Sequence, residues 1–277
     1  MNQNVNITND SLLECSVAKF SNFAFKLDSG FLLNDFKVAF KTYGELNSKK
    51  NNAILICHAL TGDQYVSGNN PISQRDGWWS RMVGPNKPID TNKFFVICSN
   101  VLGGCSGTTG PKEKNPSTKL PYAADFPSIT ISDIVKTQNY LIEALKIDKL
   151  FGIIGGSMGA MQAIQWTINF PEKIRNIIHI AGALKHSAQN IAFHEVGRQA
   201  IMNDPKWNNS FYIKKNTVPE RGLSVARMIA HITYLSDDSM HRKFGRKLQS
   251  RDIISFGFDA DFQVESYLRH QGHSFVN

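Results

Sequence analysis

Apolar residues in this chain gather into short runs separated by polar, Gly-containing segments. Four runs, Ala53 to His58, Phe94 to Ser99, Leu150 to Ile154 and Ile174 to Ala181, are rich in Ile, Val, Leu and Phe, the pattern of strands buried on both faces of a parallel sheet. Helical periodicity lies between them. Ser132 is placed to cap a helix in which Ile134, Val135, Leu141, Ile142 and Leu145 recur on one face. Met158 to Phe170 predicts a second helix, stopped by Pro171. Strand and helix in alternation imply a parallel sheet with right-handed crossovers. Ahead of Ala53, the segments Val17 to Phe25, Phe31 to Leu33 and Phe36 to Tyr43 predict antiparallel strands at the sheet edge. After Ala183 strand signals fade, and Ser187 to Asn203 and Leu223 to Leu235 read as helices. The expected organisation is an α/β core over 1–182 followed by a helical insertion over 183–277, with no internal repeat.

Composition narrows the class without naming a reaction. With 277 residues, 42% hydrophobic and 19% charged, the chain can bury a large core and does not read as disordered. No run of about 18 apolar residues occurs, so a spanning helix is not expected. Met1 to Asp10 is polar and Asn-rich rather than signal-like, which makes a cytoplasmic address the expectation. The four cysteines, Cys15, Cys57, Cys98 and Cys105, lack CxxC spacing, so neither a disulfide framework nor a metal site is expected. The net charge of +8 is spread along the chain without a nucleic-acid-binding motif, and solvated lysines account for it.

The chemistry concentrates at Gly155-Gly156-Ser157-Met158-Gly159. Gly-x-Ser-x-Gly is common by chance, but here an apolar strand precedes it and a helix follows, the setting of a nucleophile elbow in an α/β-hydrolase-type acyl-transfer enzyme. Ser157 is the candidate nucleophile. The start of the helix favours developing negative charge, so the Met158 N–H is one expected oxyanion donor. The loop His58-Ala59-Leu60-Thr61-Gly62 ends an earlier strand, and the Leu60 N–H is assigned as the second donor. The competing reading is a strand–helix turn without chemistry, or a phosphate-binding turn, although neither GxxxxGK[ST] nor GxGxxG occurs there.

The stretch from Gly155 to Trp166, read with its neighbours, resembles homoserine O-acetyltransferase, an acyl-CoA-dependent family of methionine biosynthesis whose elbow is similar to GGSMGGMQALEW. Further similar blocks are His58 to Gly62, Gly77-Trp78-Trp79, Asn100 to Cys105, Thr109-Gly110-Pro111 and Asp125-Phe126-Pro127. The insertion adds Gln189 to Phe193, Gly197 to Ile201, Ala226 to Ala230 and Val264 to Leu268, so the resemblance runs from about residue 17 to the end. It implies an α/β-hydrolase fold with a mostly parallel sheet flanked by helices, and a helical insertion acting as lid and homodimer surface. It also implies transfer of acetyl from acetyl-CoA, a co-substrate rather than a bound cofactor, to L-homoserine through acyl-Ser157. Arg227 matches the family's substrate arginine, and a guanidinium can bond both oxygens of the homoserine carboxylate; from the helix alone it reads equally as a packing or salt-bridge residue. Tyr234, two turns on, could line the same pocket or belong to the core. No nucleic acid or membrane partner is implied.

A serine nucleophile needs a histidine base and an orienting carboxylate, which in this fold class follow it in the order Ser, Asp or Glu, His. The resemblance places both beyond the block Val264 to Val276, so the last core strands and the triad Asp and His are expected to be absent from this chain. His270 and His273 read as surface residues; His58 and His231 read as hydrogen-bonding structural residues. The alternatives left open are a homoserine O-succinyltransferase of the same family, an esterase using water as acceptor, and an inactive remnant or interaction protein. On this reading the polypeptide has little transferase activity by itself; a CoA-release assay with acetyl-CoA and homoserine checks this, and turnover at an intact enzyme's level would contradict it.

Overall fold

A computed structural model describes residues 4–255 and 257–276, so Met1 and Asn277, the outer limits of the two expected domains, lie outside it. The chain packs as two units that divide after Leu184.

The first unit is built on a seven-stranded sheet. Its strands are β1 (Asn4–Asp10), β2 (Cys15–Ser21), β3 (Phe36–Tyr43), β4 (Ala53–Cys57), β5 (Phe95–Ser99), β6 (Gly152–Gly156) and β7 (Ile177–Ile180). In space they run β1-β2-β3-β5-β4-β6-β7. The pairs β1/β2, β2/β3 and β3/β5 are antiparallel, whereas β5/β4, β4/β6 and β6/β7 are parallel. Two helices, α1 (Ile131–Ala144) and α2 (Met158–Asn169), make the crossovers around β6.

Period-two alternation distributes β4 between two cores. Ala53, Leu55 and Cys57 join a cluster with Leu141, Ile142, Ala163 and Trp166 from the helices. Ile54 and Ile56 face the other way, onto Val66, Val83 and Ile89 from the long segment between β4 and β5. Where the antiparallel strands meet α1, aromatic side chains fill the space. Phe36 stacks on Phe20 at 4.6 Å between ring centroids and meets Phe23 edge-on at 5.4 Å, and Tyr140 of α1 lies edge-on to Phe23 at 4.6 Å.

Several expectations need correction. Ser132 is not the cap of α1: Thr130 accepts from the Asp133 N–H at 3.1 Å and Asp133 accepts from the Thr130 N–H at 3.0 Å, a reciprocal capping box. Ser132, already in the first turn, accepts instead from the Asn169 side chain. The run Ile174 to Ala181, expected as a buried strand, gives only β7, whose residues are exposed, Ile178 to 51%. An apolar run signals burial, but among the described residues β7 has a strand neighbour on one side only. A polar strand, β1, stands where no element was expected; it is exposed along its length and held by its antiparallel ladder to β2.

The second unit is helical: α3 (Ala188–Met202), α4 (Glu220–Thr233), α5 (Asp237–Phe244) and α6 (Gln263–Val276). Helix α4 contacts α3 and α6 at glycines. A Cβ on Gly222 would lie 2.4 Å from the Ala200 carbonyl oxygen, and one on Gly272 would lie 2.4 Å from the Ser224 hydroxyl. No helix among the described residues is long and apolar enough to cross a membrane.

Phe36 joins strand and helix layers, so Phe36→Ala is expected to cost about 3–5 kcal/mol of unfolding free energy, measured by urea denaturation; a cost under about 1 kcal/mol would show that the aromatic cluster closes over the gap.

Candidate active site

Strand β6 delivers the chain to Ser157 and α2 takes it away, so the turn is compressed to one residue. Ser157 sits at φ 57° and ψ −121°, a region that a residue with a Cβ seldom occupies. Its N–H donates to the Ile180 carbonyl at 3.0 Å, and its carbonyl accepts from the N–H groups of Ala160 and Met161. The side chain is exposed, and its hydroxyl makes no hydrogen bond among the described residues.

Two glycines make the turn possible by what they lack. A Cβ on Gly155 would lie 2.0 Å from the Gly159 carbonyl oxygen, and one on Gly159 would lie 2.0 Å from the Cys57 carbonyl oxygen. The first turn of α2 therefore runs backbone against backbone onto the end of β4. Gly156 differs: nothing lies within 4 Å of its Cβ position.

This contact brings the segment after β4 beside the elbow. The Met158 N–H and the Leu60 N–H donate to no acceptor among the described residues. The Leu60 side chain is 69% exposed, so the residue is held by its backbone rather than by packing. His58, at the head of the same loop, is buried. The Val101 N–H donates to His58 Nε2 at 3.1 Å, so Nε2 carries no proton, and Nδ1–H donates to the Ala59 carbonyl at 2.7 Å. Burial holds its pKa below the usual imidazole range and keeps the ring neutral.

A buried polar chain that sequence reading missed lies underneath. Trp166 Nε1–H donates to Gln138 Oε1 at 2.8 Å, Gln138 Nε2 donates to Gln162 Oε1 at 2.8 Å, and Gln162 Nε2 donates to the His58 carbonyl at 3.1 Å. Cys57 Sγ–H also points to Gln138 Oε1, at 3.9 Å, with its thiol pKa pushed up to about 12 by burial. The available signal was two glutamines set in the apolar stripes of α1 and α2.

Arg227 and Tyr234 belong to the second unit and are described within it. Arg227, half-buried on α4, places its guanidinium 5.0 Å from the Phe275 ring centroid, and no carboxylate among the described residues pairs with it. Tyr234 is the exposed C-cap residue of α4, its ring 5.1 Å from that of His231. His231 bonds through Nδ1 to the Tyr267 hydroxyl at 2.8 Å, and burial, then Arg227 and Lys243, hold its pKa down. No cluster of three or more His, Cys, Asp or Glu among the described residues could hold a metal ion.

The alpha/beta hydrolase fold family model matches residues 52–274. The homoserine O-acetyltransferase of Rhodospirillum rubrum is 62% identical over 251 residues, which are 91% of this chain and 64% of that protein. Among solved structures, esterase E22 is similar with a TM-score of 0.79 at 31% identity, covering 95% of this chain and 74% of that one. The homoserine O-acetyltransferase of Bacillus anthracis has the same TM-score at 26% identity and covers the same shares. The chain thus spans a little under two thirds of the length of such curated relatives.

Two expected outcomes follow from the geometry. Gly159→Ala lowers the melting temperature sharply or prevents folding, whereas Gly156→Ala leaves it within a few degrees; equal behaviour in a thermal melt would contradict the close backbone contact. His58 binds its proton less readily folded than unfolded, so stability is full above its ordinary value of 6.5 and falls as pH drops below it. Urea titrations at stepped pH check this, and a flat profile between pH 6.5 and the carboxylate range would contradict it.

Proposed function

The chain belongs to the homoserine O-acetyltransferase family of the α/β-hydrolase fold, and we propose on that premise that Ser157 is the nucleophile of acetyl transfer from acetyl-CoA to L-homoserine. The observation that carries this reading is the strained, exposed Ser157 between β6 and α2, at the sheet end where the Met158 and Leu60 N–H groups donate to no acceptor among the described residues.

In the proposed first step Ser157 Oγ attacks the thioester carbonyl. The C–S bond breaks, the acetyl group passes to Oγ, and the serine proton leaves with the CoA thiol. In the second step the homoserine hydroxyl attacks the acetyl ester; O-acetylhomoserine departs and its hydroxyl proton returns to Ser157. Each step passes through a tetrahedral oxyanion, for which the N–H groups of Leu60 and Met158 are the proposed donors. Splitting the transfer in two implies ping-pong kinetics. The reaction as proposed uses acetyl-CoA as co-substrate and no resident cofactor.

Arg227 is the proposed partner of the homoserine carboxylate. Its guanidinium is not neutralised by a carboxylate among the described residues and rests on an aromatic face, which leaves its planar N–H edge for a ligand. Tyr234 is proposed to line the same pocket. The helical insertion, residues 183–277, is proposed to act as lid and homodimer surface, and the four unpaired cysteines suit a cytoplasmic location.

The test joins this chain to the C-terminal part of the Rhodospirillum rubrum relative, where the resemblance places the triad Asp and His, and follows thiol release from acetyl-CoA. Homoserine-dependent release is expected, falling by at least about 10³-fold in Ser157→Ala. Arg227→Lys should raise the homoserine KM more than it lowers kcat, since the bidentate contact is lost. Ester hydrolysis indifferent to homoserine would instead make water the acceptor, and preference for succinyl-CoA would change the acyl donor.

A further inference from the structure

The polarity of the buried chain from Trp166 to His58 is fixed from both ends. An indole nitrogen only donates, so Gln138 must turn its oxygen to Trp166 and its amide nitrogen to Gln162. A peptide carbonyl only accepts, so Gln162 must turn its nitrogen to His58 O, and the same nitrogen lies 3.3 Å from Met158 O. Both assignments agree at the central contact, which leaves neither amide free to flip. Gln138, Gln162 and Trp166 are at most 1% exposed, so water does not compete for these bonds.

The far end of this chain sets the direction of a peptide. Gln162 holds the carbonyl of the His58–Ala59 peptide. The next carbonyl, of Ala59, accepts from His58 Nδ1–H at 2.7 Å and from the Gly62 N–H at 2.9 Å. In a trans peptide the N–H points opposite to the carbonyl, so fixing Ala59 O fixes where the Leu60 N–H points. The imidazole that holds Ala59 O is itself held at Nε2 by the Val101 N–H. Two successive peptide planes are thus clamped, one by Gln162 and one by the His58 ring, and the Leu60 N–H emerges from them without a partner among the described residues.

We propose that Gln162 and His58 are positioning residues that aim the Leu60 N–H, with Gln138 and Trp166 holding Gln162 in its donating orientation. Its significance for oxyanion binding rests on the reading of Ser157 given above; the clamp itself does not. A hydrogen-bond donor placed in advance costs no reorganisation when charge develops, and here no side chain of Leu60 packs to supply that order.

Amide hydrogen exchange of the chain itself tests the clamp, read at Gly62 and Val101, whose N–H groups close it. Gln162→Glu keeps the shape but turns a carboxylate toward the carbonyls of His58 and Met158. Near neutral pH it is expected to speed exchange at both amides by about tenfold, the scale of one lost hydrogen bond, with α1 unchanged. At lower pH the protonated acid can donate, and protection relative to the unaltered chain at the same pH returns. Exchange in Gln162→Glu matching the unaltered chain throughout would overturn the proposal, because a packing role survives that substitution. If Gln162→Glu does not fold, Gln138→Met releases the orientation of Gln162 and is expected to speed Gly62 exchange; no change there is equally fatal.

Labelling the joined protein of the preceding section with an alkyl fluorophosphonate separates the two readings. Ser157 Oγ bonds to phosphorus, fluoride leaves and the proton passes to solvent. Capture slowed by about tenfold in Gln162→Met, in line with faster Gly62 exchange, supports both readings. A clamp that responds as expected while Ser157 of the joined protein is never captured overturns the nucleophile and leaves the clamp standing.

Discussion

Much of the first unit depends on one contact between backbones, where the first turn of α2 comes down on the end of β4. A helix can approach a strand end this closely only if the residue between them has no side chain, and Gly159 meets that condition against Cys57 O. Strands β4 and β6 are neighbours in a parallel ladder, so the strand that ends at the elbow and the strand that ends at His58 release their chains side by side. The contact turns that adjacency into a site: it sets the N–H of Met158 and the loop carrying Leu60 at the same end of the sheet. A larger residue at 159 would separate the helix from the strand and the two donors from each other.

The polar chain beneath that contact has a cost that fixes how it must be arranged. Two glutamine side chains, an indole N–H and a histidine withdrawn from water lose hydration, and each bond left unmade would cost about 1–3 kcal/mol. Every amide position the chain uses has a partner, and the His58 ring is engaged at both nitrogens. An apolar core could supply comparable stability, but hydrophobic packing is indifferent to the rotation of a peptide plane. Directed bonds are not. The arrangement exchanges some packing energy for control of orientation at one loop.

What the sequence disclosed and what it withheld divide along physical lines. Strand–helix alternation and the glycine-flanked Ser157 are local patterns, and the parallel strands, α2 and the antiparallel strands β2 and β3 lie close to where those patterns put them. Phe31 to Leu33, expected at the sheet edge, gives only a two-residue strand that pairs with Phe25–Lys26 outside the seven-stranded sheet. Strand β1 was not legible because its composition is polar and only Val5 and Ile7 hint at alternation; the ladder to β2 makes it a strand. Ser132 and Thr130 are both hydroxyl residues near a helix start, and the reciprocal partner Asp133 decides between them. Helices α5 and α6 carry many charged and histidine residues, so few apolar positions mark their buried faces and no apolar run announces them. Gln138 and Gln162 stand among apolar neighbours on separate helices, and only packing reveals that they are a pair. The exposure of β7 was hidden for the opposite reason: its sequence is apolar, and burial depends on what stands beyond it.

The position of β7 bears on the serine. The Ser157 N–H is bonded to Ile180 O, so the residue at the turn is anchored to the outermost strand rather than to the middle of the sheet. Strands at a margin open more readily than those flanked on both sides, and their excursions fall in the low-energy part of the spectrum of local unfolding. A strained φ at residue 157 persists only while its surroundings over-determine it. Were β7 to leave the sheet, one of those constraints would lapse and the turn could relax toward an ordinary conformation. The strained geometry is therefore shared between the elbow and a neighbouring strand, and whatever pairs with the open side of β7 would steady it without touching the serine.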